Sequence, residues 1–219
     1  MSAAPTHSQR PRSGRGRRAA RTSGDERERA ILATAERLLQ ERSLSQISVD
    51  DLARGAGISR PSFYFYFPSK AAVVLTLVDR MVEEADDARD AAAERLLLSD
   101  PTAAWRESLN GFYATFGSHR AVIRAATELS ATNVEAQALW SQVMEGWIAY
   151  VSERIEAERE RGAAPSGTPT RDLATALVQM NERVMGAIFV EEAPAVPEDT
   201  AVEVLNHIWL SAIYGTPRV

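Results

Sequence analysis

Apolar residues recur at three- and four-residue intervals from about residue 25 onward and nowhere alternate strictly, so the pattern predicts helices and no strands. Between Asp25 and Gln40, the residues Ala30, Ile31, Ala35, Leu38 and Leu39 fall at helical spacing. Asp25, Glu26 and Glu28 occupy the first turn, where the helix dipole favours acids. The stretch ISVDDLARGAG predicts a short helix entered at Ser48, with Asp51 three residues on in a capping-box pattern, and stopped by Gly55 and Gly57. Ser59 reads as a fresh N-cap and Pro61 is tolerated in a first turn, while Pro68 disfavours helix at Phe67, so the next helix has two turns. Residues 69–98 form one long helix, and Asp100-Pro101 restarts the chain into another over 101–117. Further helices are expected near 119–130, 133–161, 169–190 and 197–214, broken by Gly117-Ser118, GAAPSGTP and APAVP. No internal repeat points to a solenoid.

The two-turn helix carries five consecutive aromatics, Phe63 to Phe67, out of 15 in the chain (4 Trp, 5 Tyr, 6 Phe). In helical register Phe63 and Phe67 share a face suited to packing on the preceding helices. Ser59, Ser62 and Tyr66 share another, and Tyr64 flanks them near Arg60. A small core made of all five rings would explain the phenylalanines but would leave those hydroxyls unused. Facing outward, they can donate to phosphate oxygens. Lys70 opens the following helix, whose N-terminal N–H groups also favour an anion. Arg60 can read guanine N7 and O6 or touch phosphate, and Phe65 can meet a thymine methyl or the protein; the spacing leaves both open. A short capped helix, a glycine turn and a second short helix with a polar outer face make a helix-turn-helix.

Charge divides the chain in the same places. Residues 1–21 hold six arginines and no acid, 22–70 hold seven basic and seven acidic groups, and 71–219 hold 12 basic and 23 acidic groups, although the net charge is only −5. The stretch 1–23, rich in Arg, Ser, Gly and Pro, is expected to be a disordered tail. It suits an arm along phosphate or in a minor groove, and its composition is also that of a plain solvated tail or a transit peptide. It has no apolar segment of the secretory type. No apolar run is long enough to span a membrane, and with no cysteine there is no disulfide or thiolate metal site, which fits a reducing, cytoplasmic setting.

An enzyme is not expected. The three histidines, His7, His119 and His207, join no catalytic or metal-binding motif, and no phosphate-binding loop or nucleophile elbow occurs. The acidic run VEEADDARD at 82–90 reads as the solvated face of a long helix. Neither a metal nor a cofactor is called for.

A second aromatic set lies further on. Trp105, Leu109, Phe112 and Phe116 recur at helical spacing with Ser108 inside the stripe, and Trp140, Met144, Trp147 and Val151 form a similar stripe. Trp209 lies in the last helix. Such stripes serve either as core or as cavity wall. Broad rigid rings pack imperfectly between helices, and Ser108, Tyr150 and Asn181 fall close enough to orient a ligand.

The stretch ISVDDLARGAGISRPSFYFYFPSK resembles the DNA-binding region of the TetR family of bacterial repressors. Further family-like segments (TFGSH, GWIAY, RGAAP, MNER, HIW and AIYG) follow in order along the chain. The resemblance implies an all-α, nine-helix subunit. Its parts would be the tail 1–23, a helix-turn-helix domain over 24–68 and a ligand-binding and dimerisation domain over 69–219. DNA contacts would fall on Ser48, Ser59, Arg60, Pro61, Ser62, Tyr64, Tyr66 and Lys70, the last the one lysine in the chain. A hydrophobic tunnel would be lined by Trp105, Ser108, Leu109, Phe112, Phe116, Trp140, Met144, Trp147, Tyr150, Val151, Asn181 and Trp209. Ser108, Val151, Val178 and Gly186 stand where a related member carries glycine, threonine, asparagine and phenylalanine, so that member's ligand identity does not transfer. The expected partners are a roughly palindromic double-stranded DNA operator, an elongated hydrophobic effector and a second copy through the helices near 169–190 and 197–214, and the expected place of action is the cytoplasmic nucleoid. An architectural DNA binder without effector, and a small-molecule carrier with a vestigial helix-turn-helix, are the two other classes in view.

Overall fold

The computed structural model describes residues 15–96 and 100–215, and the side chains of 24–91, 100 and 102–215. Its described residues form nine α-helices and one 3-10 turn, with no strand. The helices are α1 (Arg15–Glu41), α2 (Val49–Gly55), α3 (Arg60–Tyr66), α4 (Lys70–Leu96), α5 (Pro101–Ser118), α6 (Arg120–Ser130), α7 (Val134–Glu160), α8 (Thr170–Phe189) and α9 (Ala201–Tyr214), and the 3-10 turn Leu44–Gln46 precedes α2.

Short-range polar signals set most of these boundaries. Ser48 accepts from Asp51 N while Asp51 Oδ2 accepts from Ser48 N at 3.0 Å, the reciprocal pair foreseen at the entrance of α2. Ser59 accepts from Ser62 N, Asp100 from Ala103 N and Asn133 from Ala136 N, capping α3, α5 and α7. Three details differ from the sequence reading. Residues 1–14 of the expected tail lie outside the described residues, but 15–23 belong to α1. Arginine and alanine are strong helix formers, and they outweigh Gly16 and Gly24. The 3-10 turn was not foreseen, being too short to show a period. The last helix begins at Ala201 rather than near 197, because residues 198–200 form a turn.

The first three helices close on the start of α4. Ile31, Leu32, Leu38, Leu52, Phe63, Phe67, Val73 and Val74 are all buried in one cluster, each side chain worth about 1.5–3 kcal/mol of burial. Close approach fixes the α1–α2 crossing: a Cβ on Gly55 would stand 2.3 Å from Thr34 Cγ2. Gly57, at φ 69°, turns the chain from α2 into α3. The larger body packs α4 along α5, α7 along α8 and α5 against α9. A buried polar chain ties three of these helices. Trp105 Nε1 donates to Tyr214 Oη at 3.0 Å, Tyr214 Oη donates to Glu158 Oε2 at 2.8 Å, and Arg161 Nε donates to Glu158 Oε1 at 2.9 Å. Glu158 is only 4% exposed, so these donors satisfy a carboxylate that burial would otherwise penalise.

Candidate functional site

One end of the molecule presents α3. Phe63 and Phe67 point into the core, as their shared face requires. Ser48, Ser59, Arg60, Pro61 and Ser62 are exposed; Tyr64 is 46% exposed and Phe65 88%. Ser59 and Ser62 share a hydroxyl hydrogen bond of 2.8 Å. Arg60 Nη1 donates to Asp50 Oδ2 at 3.0 Å, and its guanidinium lies 6.0 Å from the Tyr64 ring centre. The Tyr64 hydroxyl first, then the Asp50 charge, hold the Arg60 pKa up. Arg60 is thus aimed but lightly held, since an exposed ion pair contributes little.

Two of the expected contacts are placed differently. Tyr66 is half-buried against the core rather than facing out, because the ring at the last turn of α3 meets the packed helices. Lys70 Nζ donates to Leu44 O at 2.8 Å and to Ile47 O at 3.0 Å. The amine is therefore committed to the carbonyls around the 3-10 turn instead of standing free for phosphate. Phe65, which the sequence left open, packs on almost nothing of the protein.

The same turn is gripped from its other side. Glu128 of α6 accepts from Leu44 N at 3.1 Å through Oε2 and from Ser45 N at 2.9 Å through Oε1. Carbonyls held by α4 and amides held by α6 leave the turn seated on both helices. Nothing in the sequence marked Glu128, which lies more than 80 residues from its partners.

Further along α4, and on another face of α6, lies a cavity of about 360 Å³ between the helices of the larger body. Of the expected lining, Trp105, Ser108, Leu109, Phe112, Phe116, Trp140, Trp147, Tyr150, Val151, Asn181 and Trp209 are all brought together there. Met144 is not; it is half-buried against the core outside the cavity. At about 100° per residue the lining of α7, from Ala136 through Leu139 to Tyr150, centres about 80° away from Met144. The stripe seen in the sequence is offset about the helix axis from the true wall.

The rings are locked against each other. Phe112 meets Trp147 at 5.1 Å, Trp140 meets Trp147 at 5.8 Å and 90°, and Trp105 meets Trp209 at 5.2 Å. Their indole N–H groups are also placed: Trp209 Nε1 donates to Asn181 Oδ1 at 2.9 Å, and Trp147 Nε1 to Asp86 Oδ1 at 3.0 Å. Rings held this way keep space open instead of collapsing into it.

Sequence reasoning missed the contribution of α4 and α6. Leu75, Val78 and Met81, then Ile123, Ala126 and Leu129, face the cavity, and so does Arg89. Arg89 and Asp86 sit in the acidic run taken as a solvated face. Their positions continue the stripe of Leu75 and Val78, and that spacing was the available signal. No helix among the described residues is long and apolar enough to cross a membrane, and none of their acidic and histidine side chains cluster as a metal site.

Comparison with known proteins matches this arrangement. Residues 31–77 match the model of bacterial regulatory proteins of the tetR family, and residues 105–215 match the C-terminal domain of the transcriptional regulator EthR. The chain is 57% identical over 204 residues to the HTH-type transcriptional regulator EthR of Mycobacterium tuberculosis, covering 93% of this chain and 94% of that one. It is 52% identical over 211 residues to the regulator of the same name in Mycolicibacterium smegmatis, covering 96% and 97%. Among solved structures, a putative TetR-family regulator from Syntrophomonas wolfei aligns with a TM-score of 0.73 at 15% identity, over 89% of this chain and 98% of the other. FadR from Thermus thermophilus, a repressor solved with lauroyl-CoA, aligns at 0.63 and 16% identity, over 88% and 98%.

Proposed function

The chain belongs to the tetR family of bacterial regulatory proteins, as a helix-turn-helix transcriptional regulator of the EthR kind, and we propose that it is a dimeric repressor released from DNA by an elongated, largely apolar small molecule. In this reading α3 enters the major groove. Ser48, Ser59, Arg60, Pro61, Ser62 and Tyr64 touch phosphate and base edges, and Phe65 offers its free ring to a thymine methyl. Tyr66 and Lys70 support that surface from behind. Two copies join through α8 and α9, where Val204 and Ile208 keep exposed apolar side chains. Two α3 helices then meet successive grooves of a roughly palindromic operator.

One observation carries the ligand response: two of the helices that wall the cavity, α4 and α6, are the two that hold the turn in front of α2. A ligand that shifts either helix disturbs the seat of the DNA-binding unit. Ligand and operator then favour different arrangements, as release requires. A swing of operator occupancy from nearly full to nearly empty needs a differential of about 5.5 kcal/mol. That is within reach of a ligand burying its length among these rings.

Fluorescence anisotropy on the DNA upstream of the protein's own gene, against shuffled DNA of equal length in about 150 mM salt, tests both halves. Tight binding to the upstream DNA alone, reversed by an apolar ligand, is the expected result. Equal weak binding to both DNAs, unaffected by ligands, would remove the reading.

A further inference from the structure

The wall around Phe112, Trp140 and Trp147 is apolar, and one charged side chain reaches it from α4. Arg89 is 12% exposed and lines the cavity together with Tyr150. Its guanidinium carbon lies 4.2 Å from the centre of the Tyr150 ring, a stacking distance that fixes the plane of the group. Arg89 Nη1 donates to Asp86 Oδ1 at 2.7 Å, and Nε donates to Asp90 Oδ1 at 2.9 Å. The same Asp86 oxygen takes Trp147 Nε1, so the guanidinium, the carboxylate and an indole of the cavity wall form one fixed unit.

A guanidinium has five N–H donors. Two are used here, and among the described residues no acceptor takes Nη2. Nη2 is not a fully buried orphan, so an acceptor entering the cavity would take the place of water at it. The charges nearby decide what that acceptor is. Arg89 pairs with Asp86 at 2.7 Å and with Asp90 at 2.9 Å, and Arg183, also on the cavity wall, is bound to Glu192 at 2.8 Å. These two cations already hold three carboxylates between them, two of them on Arg89. An incoming carboxylate would meet a neutralised arginine beside Asp86 and Asp90. An uncharged carbonyl takes the spare donor with no repulsion.

We propose that Arg89 anchors the effector: the cavity takes an amphiphile with an uncharged carbonyl head, which accepts from Arg89 Nη2 while its apolar chain lies among Phe112, Trp140 and Trp147. This rests on reading the cavity as the effector site. Arg89 determines specificity at the head group, and the rings supply the bulk of the affinity.

The test uses three probes of one length, 2-undecanone, decanoate and undecane, titrated into the full chain at pH 7.5 by tryptophan fluorescence, without DNA. Wild type is expected to bind the ketone about tenfold tighter than the alkane, the worth of one buried hydrogen bond, and tighter than the carboxylate. Arg89→Met is expected to bring ketone and alkane together while leaving alkane binding within about twofold. An infrared band of carbonyl-labelled ketone, read on wild type, guards against a variant that does not fold. A stretch shifted below its value in cyclohexane is expected, and an unshifted band overturns the anchor. Tighter decanoate, equal binding of ketone and alkane, or discrimination kept in Arg89→Met also overturns it while leaving the effector cavity standing. No binding of any probe overturns both.

Discussion

Replacing Glu128 by alanine removes the two hydrogen bonds that seat the turn in front of α2. The carboxylate spans Leu44 N at 3.1 Å and Ser45 N at 2.9 Å. The bond to Leu44 is part-buried and the one to Ser45 is exposed, so water replaces the second more readily than the first. A hydrogen bond to a charged acceptor is worth about 1.5–3 kcal/mol when buried and less at the surface, so the pair is worth about 1–2 kcal/mol. For a chain of this size each kcal/mol moves the melting temperature by about 2–4 °C. Glu128→Ala is therefore expected to melt about 2–8 °C lower by calorimetry. Its more telling effect is on coupling. Lys70 still holds Leu44 O and Ile47 O, so the turn stays attached to α4 but loses α6. Operator affinity without ligand is expected to fall severalfold, and the ratio of affinities with and without a saturating ligand is expected to shrink toward one. Glu145→Ala, which removes only a surface pair with Arg171, serves as control and leaves the ratio alone. An unchanged ratio in Glu128→Ala, with the melting temperature lowered as expected, would show that α6 is only a prop and that α4 alone transmits the ligand.

Gly55→Ala is expected to destabilise the fold by about 1–3 kcal/mol through overpacking, since the new methyl would collide with Thr34 Cγ2; adding Thr34→Ser removes that methyl and should restore the thermal midpoint. Phe65→Ala is expected to leave the melting temperature unchanged, as the ring touches little of the protein, and to weaken operator binding about tenfold in anisotropy, whereas equal affinity would take the ring out of the interface. Burial, and then the bond to Glu158, push the Tyr214 pKa up to about 12. A raised folded pKa means that this contribution is intact below the ordinary phenol value of about 10 and is lost as pH climbs through the folded value. Tyr214→Phe should be less stable at neutral pH and show a flatter alkaline unfolding limb by circular dichroism; an unaltered limb would refute the assignment.

The helices were legible because their signals are local. Period, cap and breaker act within one or two turns, so Ser48 with Asp51, Ser59 before Pro61, and Asp100 before Pro101 mark boundaries that tertiary packing had no reason to move. Family resemblance supplied what period alone left open, the step from aromatic stripes to a cavity. The start of α1 was misjudged because a stretch of Arg and Ala next to Ser and Gly can be read by composition or by helix propensity, and these disagree.

What the sequence by itself determined, then, is an all-helical chain with a short aromatic helix at one end and ring-rich helices at the other. Tertiary structure alone decided which faces those rings use and which polar groups meet. Met144 drops out of the wall because it lies off the face of α7 that meets the cavity, and which face a helix turns to a cavity leaves no trace in its own periodicity. Lys70 and Glu128 close on one turn, and Arg89 joins Asp86, Trp147 and Tyr150, only because helices far apart in the chain are laid side by side. Hydrogen bonds and charge pairs act over a few ångströms of space, whereas the chain records only order along its length.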